Sequence, residues 1–138
     1  MPRFSQHSLV LLDTCDIRLV RIMTDVVKEF DISIISGRRN QEEQNELFRQ
    51  GLSQRKWPDS NHNVYPLSRA VDIAPFPIEW EDRERFVYMA GYVMGVASKH
   101  MVMLKWGGDW NRDWEVKDEM FRDLGHFELV KNDTEIHQ

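Results

Sequence analysis

Chemistry in this chain must come from a short list: five histidines, one cysteine and a set of acidic residues. His7 and His137 lie near the ends, where a rigid site is hard to build. His100 follows a long helical pattern and is placed to cap its last carbonyls. His62 and His126 remain. His62 lies in a polar stretch ten residues before Asp72, and His126 comes three residues after Asp123. Asp72 sits within Ala70-Val71-Asp72-Ile73-Ala74, where strand alternation sends Val71 and Ile73 to one face and Ala70, Asp72 and Ala74 to the other. The two alanines leave room above the carboxylate for an ion or a ligand. A buried, unpaired carboxylate costs several kcal/mol, so Asp72 needs a cation. That cation is either an arginine, such as Arg69, or a metal. Two imidazoles and one carboxylate are the usual ligands of a catalytic zinc, with a fourth position open to water. By spacing alone, His126 reads equally as a hydrogen-bonded strand residue and His62 as a solvated loop residue.

The elements that must position these residues follow from periodicity. Asp16 to Phe30 has helical spacing, through Ile17, Val20, Val27 and Phe30 with Leu19, Met23 and Val26 beside them, and Asp16 can cap it. Ile32-Ser33-Ile34-Ile35 reads as a strand ended by Ser36-Gly37. Asn40 with Glu43 three residues on is a capping-box start for a helix over 41–50, which Gly51 ends. Residues 52–68 form a long polar loop, a kind that is usually functional. A strand over 70–74 ends at Pro75. A helix spans about 81–99, and Gly91 and Gly95, four apart, predict a close approach of that helix to the sheet. Residues 101–106 and 126–130 read as strands, joined by a weakly defined connection over 109–122. The tail from Lys131 is expected to fray. The order α-β-α-β-α-β-β predicts an α+β fold with a small, largely antiparallel sheet packed with helices.

Composition narrows the function. At 138 residues the chain is the size of a single domain, read as 1–138 with a core over about 4–130 and a tail over 131–138. A net charge of −5 argues against nucleic-acid binding through a basic patch. No apolar run reaches the ~20 residues of a membrane span, and Met1-Pro2-Arg3-Phe4-Ser5 does not open a signal peptide. One cysteine, Cys15, excludes an internal disulfide and a thiolate-rich zinc cage. Any metal site is therefore built from His and carboxylates.

Five blocks stand in order along the chain: Ser36-Gly37-Arg38-Arg39-Asn40-Gln41-Glu42-Glu43-Gln44, Ser60-Asn61-His62, Ala70-Val71-Asp72-Ile73-Ala74-Pro75, Lys105-Trp106-Gly107-Gly108-Asp109-Trp110 and Asp123-Leu124-Gly125-His126-Phe127-Glu128-Leu129. Together they resemble the VanY-like D-alanyl-D-alanine carboxypeptidase and L-alanyl-D-glutamate endopeptidase family, most of all its phage endolysins, from about Phe4 to Val130. The resemblance implies a hedgehog/D-Ala-D-Ala-peptidase-like fold with a zinc site on the sheet. It implies zinc on His62, Asp72 and His126, and Asp123 as the catalytic base. Arg39 would stabilise an oxyanion or hold a substrate carboxylate, Gln44 would line the substrate side, and Trp106 would stand near the metal. Trp106, Trp110 and Trp114 otherwise read as core. The family spaces its histidine and aspartate more closely, with a glycine between. For His62 to remain a ligand, the stretch around Tyr65-Pro66-Leu67 must loop out.

The implied activity is zinc-dependent hydrolysis of the peptide stem of bacterial peptidoglycan, at the L-Ala-D-Glu bond. A D-Ala-D-Ala carboxypeptidase or dipeptidase is the alternative within the class, and a catalytically silent, zinc-stabilised binding domain is the alternative outside it. The endolysin reading further implies a monomer without membrane insertion. It would accumulate in the host cytoplasm and reach the periplasmic wall once a holin-like partner permeabilises the membrane.

Overall fold

The structure, a computed structural model that describes residues 2–115 and 123–131, opens with a helix that the sequence pattern hides. This is α1 (Gln6–Leu12), whose start is capped by Ser5 Oγ accepting from the Ser8 amide at 3.1 Å. Its apolar residues are clustered rather than striped, and Leu9 and Val10 are exposed, so no helical period announces it. α2 (Ile17–Glu29) follows, with Asp16 as its cap, a bond type that contributes about 0.5–2 kcal/mol. Its buried stripe is Leu19, Ile22, Met23, Val26 and Val27. Ile17, expected on that stripe, is exposed.

β1 (Ile32–Ser36) leads into α3 (Gln41–Arg49), whose Asn40–Glu43 capping box forms in both directions. The long loop is not structureless, since it carries a 3₁₀ turn at Asn61–Asn63. β2 (Ala70–Pro75), α4 (Arg83–Lys99), β3 (Leu104–Gly107) and β4 (Asp123–Leu129) complete the fold. β3 begins three residues later than the apolar run suggests. Met101 takes a left-handed conformation (φ 59°) as the chain leaves α4, and a strand cannot begin there. β4 begins three residues earlier than expected, at Asp123. The parts of the predicted connection and tail at 116–122 and 132–138 lie outside the described residues.

The strands form one antiparallel sheet in the order β1-β2-β4-β3. Register sets the two faces. Asp72 pairs with His126, Ala70 with Glu128, and Glu128 in turn with Lys105. Alternation puts these residues on one face and Val71, Ile73, Leu104, Trp106, Phe127 and Leu129 on the other, where they join the core. α4 covers that apolar face, with α2 beside it. Burial of these side chains contributes roughly 1.5–3 kcal/mol each and makes the sheet a rigid floor for its polar face.

Two expectations about α4 fail. Gly91 and Gly95 do not approach the sheet, since a Cβ at either would meet nothing within 4 Å. Both lie on the helix's outer side. His100 does not turn its ring to the helix end; its Nε2 donates to Asp25 Oδ2 at 2.6 Å and ties α4 to α2. α1 lies along β1, the sheet's outer strand, and Ser8 Oγ accepts from the Ile34 amide at 3.0 Å.

Candidate metal centre

Three side chains converge above the polar face. His62 Nε2 lies 3.2 Å from Asp72 Oδ1 and 3.3 Å from His126 Nδ1, and His126 Nδ1 lies 3.0 Å from Asp72 Oδ1. Zinc bonds of about 2.0–2.2 Å at tetrahedral angles put neighbouring ligand atoms about 3.3–3.5 Å apart. The triangle is slightly tighter than that spacing, and among the described residues it is the one His/Cys/Asp/Glu group that could hold a metal.

Each ligand is oriented from behind. His62 Nδ1 donates to Gly37 O at 2.7 Å, so Nε2 faces the centre. His126 shows the opposite choice. Its Nε2 donates to Glu128 Oε1 at 2.8 Å, which turns Nδ1 inward. Glu128's second oxygen accepts from Asn61 Nδ2. Arg39 Nη2 donates to Asp72 Oδ2 and leaves Oδ1 for the centre. Such outer partners fix the tautomer of a metal-binding histidine and raise its basicity.

The local folding explains each placement. Ser60 caps the 3₁₀ turn, with Ser60 Oγ accepting from the His62 amide at 3.1 Å and Asn63 Oδ1 accepting from the Ser60 amide at 3.1 Å. The Arg39 amide donates to His62 O at 2.8 Å and locks the turn to the segment after β1. Gly37 must lack a side chain, because a Cβ there would lie 2.2 Å from Thr14 Oγ1 and 2.4 Å from Leu11 O. The longer His62-to-Asp72 spacing is absorbed at Tyr65, Pro66 and Leu67, all exposed, and His62 is 1% exposed at the centre.

Asp123 stands in the same cleft, and simple alternation does not predict this. Three residues apart on a regular strand, Asp123 and His126 would face opposite ways. The pairing of β3 with β4 slips between Trp106 and Gly107, so that Gly107 pairs with Asp123 rather than with His126, the next residue in register after Phe127. Gly107 allows it, because a Cβ there would lie 2.1 Å from Asp123 O. An irregularity of this kind re-aims a side chain toward a site.

The electrostatics favour a cation at the centre. Burial opposes ionisation of Asp72, but the neighbouring imidazoles of His62 and His126 outweigh it and hold the carboxyl well below the ordinary range. Burial disfavours charge on His126 as well, yet its bonds to Asp72 and Glu128 push it up to about 10. Asp123 is raised, first by burial and then by the charge of Asp72, which makes it a stronger proton acceptor than an ordinary carboxylate.

Two residues stand elsewhere than the resemblance implies. Gln44 is fully buried behind Arg39 rather than on the substrate side. Its Oε1 accepts from Arg39 Nη1 at 3.3 Å and Asn63 Nδ2 at 3.2 Å, and its Nε2 donates to Ser53 Oγ at 2.9 Å and Arg55 O at 2.7 Å. Trp106 lies on the opposite face of the sheet, where its Nε1 donates to Leu124 O at 2.9 Å. Trp110 takes the wall position instead, its ring centroid 5.3 Å from that of His126. Trp114 is exposed rather than core. Arg39 does reach the site, but its Nε, Nη1 and Nη2 are turned inward, to Ser36 Oγ at 3.0 Å, to Gln44 and to Asp72. Sequence reasoning missed Glu128 as the partner of His126, although its place two residues on, on the same strand face, was a usable signal.

Residues 1–130 match the phage L-alanyl-D-glutamate peptidase family. The chain belongs to that family. The L-alanyl-D-glutamate peptidase of Escherichia phage T5 is 29% identical over 107 residues, which cover 73% of this chain and 77% of that protein. The crystal structure of the Serratia marcescens L-Ala D-Glu endopeptidase ChiX superposes with a TM-score of 0.73 at 24% identity, over 94% of this chain and 91% of that one. At that identity the likeness speaks for the fold. Among the described residues of this family member, no helix is long and apolar enough to cross a membrane.

Proposed function

We propose that this chain is a zinc-dependent endopeptidase that hydrolyses the L-alanyl-D-glutamate bond in the peptide stem of bacterial peptidoglycan. One observation carries the reading: in a member of this family, His62, Asp72 and His126 converge at ligand spacing with Asp123 in the same cleft.

Zinc held by His62, Asp72 and His126 supplies water activation and polarisation of the scissile carbonyl. The chain's own residues do the rest. Asp123 takes a proton from the attacking water and returns it to the leaving amine. Arg39 and Glu128 act through Asp72 and His126 as positioning residues, and Trp110 shields the His126 side of the cleft. A silent, zinc-stabilised binding domain has no use for a further, partly buried carboxylate at Asp123.

In the cell, the protein accumulates in the host cytoplasm and reaches the wall when a holin-like partner opens the inner membrane. The family's phage origin supports this. Expression alone should leave cells intact, and chloroform or a co-expressed holin should then lyse them; prompt lysis without either would count against it.

Mass spectrometry of fragments from digested peptidoglycan tests the specificity. New amino termini should begin with D-glutamate. Release of terminal D-alanine instead would turn the reading to a carboxypeptidase, and no release at all to a binding domain.

A further inference from the structure

The cleft has two halves that meet at Arg39 and Asp123, and they differ in character. One half, of about 330 Å³, presents Arg55 and Lys105 beside Asn61 and Trp110. The other, of about 640 Å³, is walled by Ile35, Leu47, Trp80 and Leu124, with Glu43 as a further charged residue.

The following rests on the proposed L-alanyl-D-glutamate specificity. Such a substrate is asymmetric in the same sense as the cleft. Its alanyl side carries only a methyl group. A glutamyl residue can continue the chain through just one of its two carboxyls, so the other remains a free carboxylate close to the bond being cut. That anion requires a cation. Arg39 cannot readily supply it, since its guanidinium is engaged by Ser36, Gln44 and Asp72. Glu128 feels the charge of Lys105 across the strands, but its two oxygens already accept from His126 and Asn61, and it forms no ion pair with Lys105 within 4.0 Å.

Lys105 and Arg55 are left, and the fold fixes both. Strand alternation turns Lys105 onto the polar face, directly opposite Glu128 in the register. Arg55 is held by its carbonyl, which accepts from buried Gln44 Nε2 at 2.7 Å, and the residue lines the cleft. Among the described residues neither forms an ion pair within 4.0 Å. We propose that Lys105 and Arg55 form a carboxylate-reading subsite for the D-glutamyl residue. It sets the direction of the substrate, with the leaving amine toward Lys105 and the alanyl side toward Trp80.

The test compares two synthetic stems, one with the free glutamyl carboxylate and one with a carboxamide in its place. Wild-type enzyme should favour the carboxylate in kcat/KM by roughly 10–100-fold, the range of a charge-assisted contact. Lys105→Gln and Arg55→Gln should each reduce that ratio, the double variant should bring it near one, and Lys105→Arg should restore part of it. Zinc content, measured alongside, should stay constant. A double variant that keeps the wild-type ratio, or one that slows both stems equally, overturns the subsite. If wild-type enzyme cuts neither stem at the Ala-Glu bond, the proposed specificity itself has failed, and the subsite falls with it.

Discussion

Glu128 accepts the Nε2 hydrogen of His126 at 2.8 Å, and this bond decides which nitrogen of that imidazole faces Asp72. Glu128→Gln keeps the size of the side chain but can turn an amide toward the ring, so the wrong tautomer competes. Zinc affinity should fall by ~10–100-fold, measured by competition with a chromophoric chelator, while circular dichroism stays unchanged. Unaltered affinity would mean that Glu128 does not orient the ligand.

Metal removal should be complete and reversible. Protein purified without added metal should contain one zinc per chain by elemental analysis, and a chelator should abolish lysis until zinc is restored. His62→Ala, Asp72→Ala and His126→Ala should each lower occupancy. An active enzyme free of zinc would refute the centre.

Asp123 should separate from the ligands in its effect. Asp123→Ala or Asp123→Asn should retain zinc and fold but reduce turbidity clearance of permeabilised cells by ~10²–10⁴-fold, the usual scale of acid–base work. Asp123→Glu should keep part of the activity. Loss of zinc in Asp123→Ala would reassign the residue as a ligand or a structural carboxylate.

Gln44 is expected to matter for stability first. Gln44→Leu removes the acceptor for Arg39 and Asn63 and the donor to Ser53 and Arg55 at a fully buried position. The cost should be about 2–4 kcal/mol, read from the urea midpoint. A change under about 0.5 kcal/mol would show that the network contributes little.

Cys15 should be inert. It is 2% exposed, and burial pushes its thiol up to about 12. Since the thiolate is the reactive form, labelling by Ellman's reagent at pH 8 should be negligible in the folded protein. One equivalent should react after denaturation. Rapid native labelling would contradict the packing around α1 and β2.

Much of this arrangement is legible in the sequence because it rests on local signals. Asp16 and Asn40 announce their helices through side-chain caps, and the alternation around Asp72 places its carboxylate on the polar face. What is illegible depends on tertiary contacts. Trp106 and Trp110 exchange expected roles because alternation in β3 gives the cleft to Lys105 and turns Trp106 to the helices. Gln44 reads as a polar helix residue, and nothing in its spacing shows the four partners that bury it. Asp123 reaches the cleft only through the slip in pairing at Gly107, which no periodicity records.

The seat of α1 along β1 has a consequence for how chains can meet. An outer strand with free amides is a template for another strand, and proteins that leave one open risk association through it. Here Ser8 occupies the Ile34 amide, and the helix bearing it lies along the strand. A second polypeptide could extend the sheet on that side only by first prising α1 away.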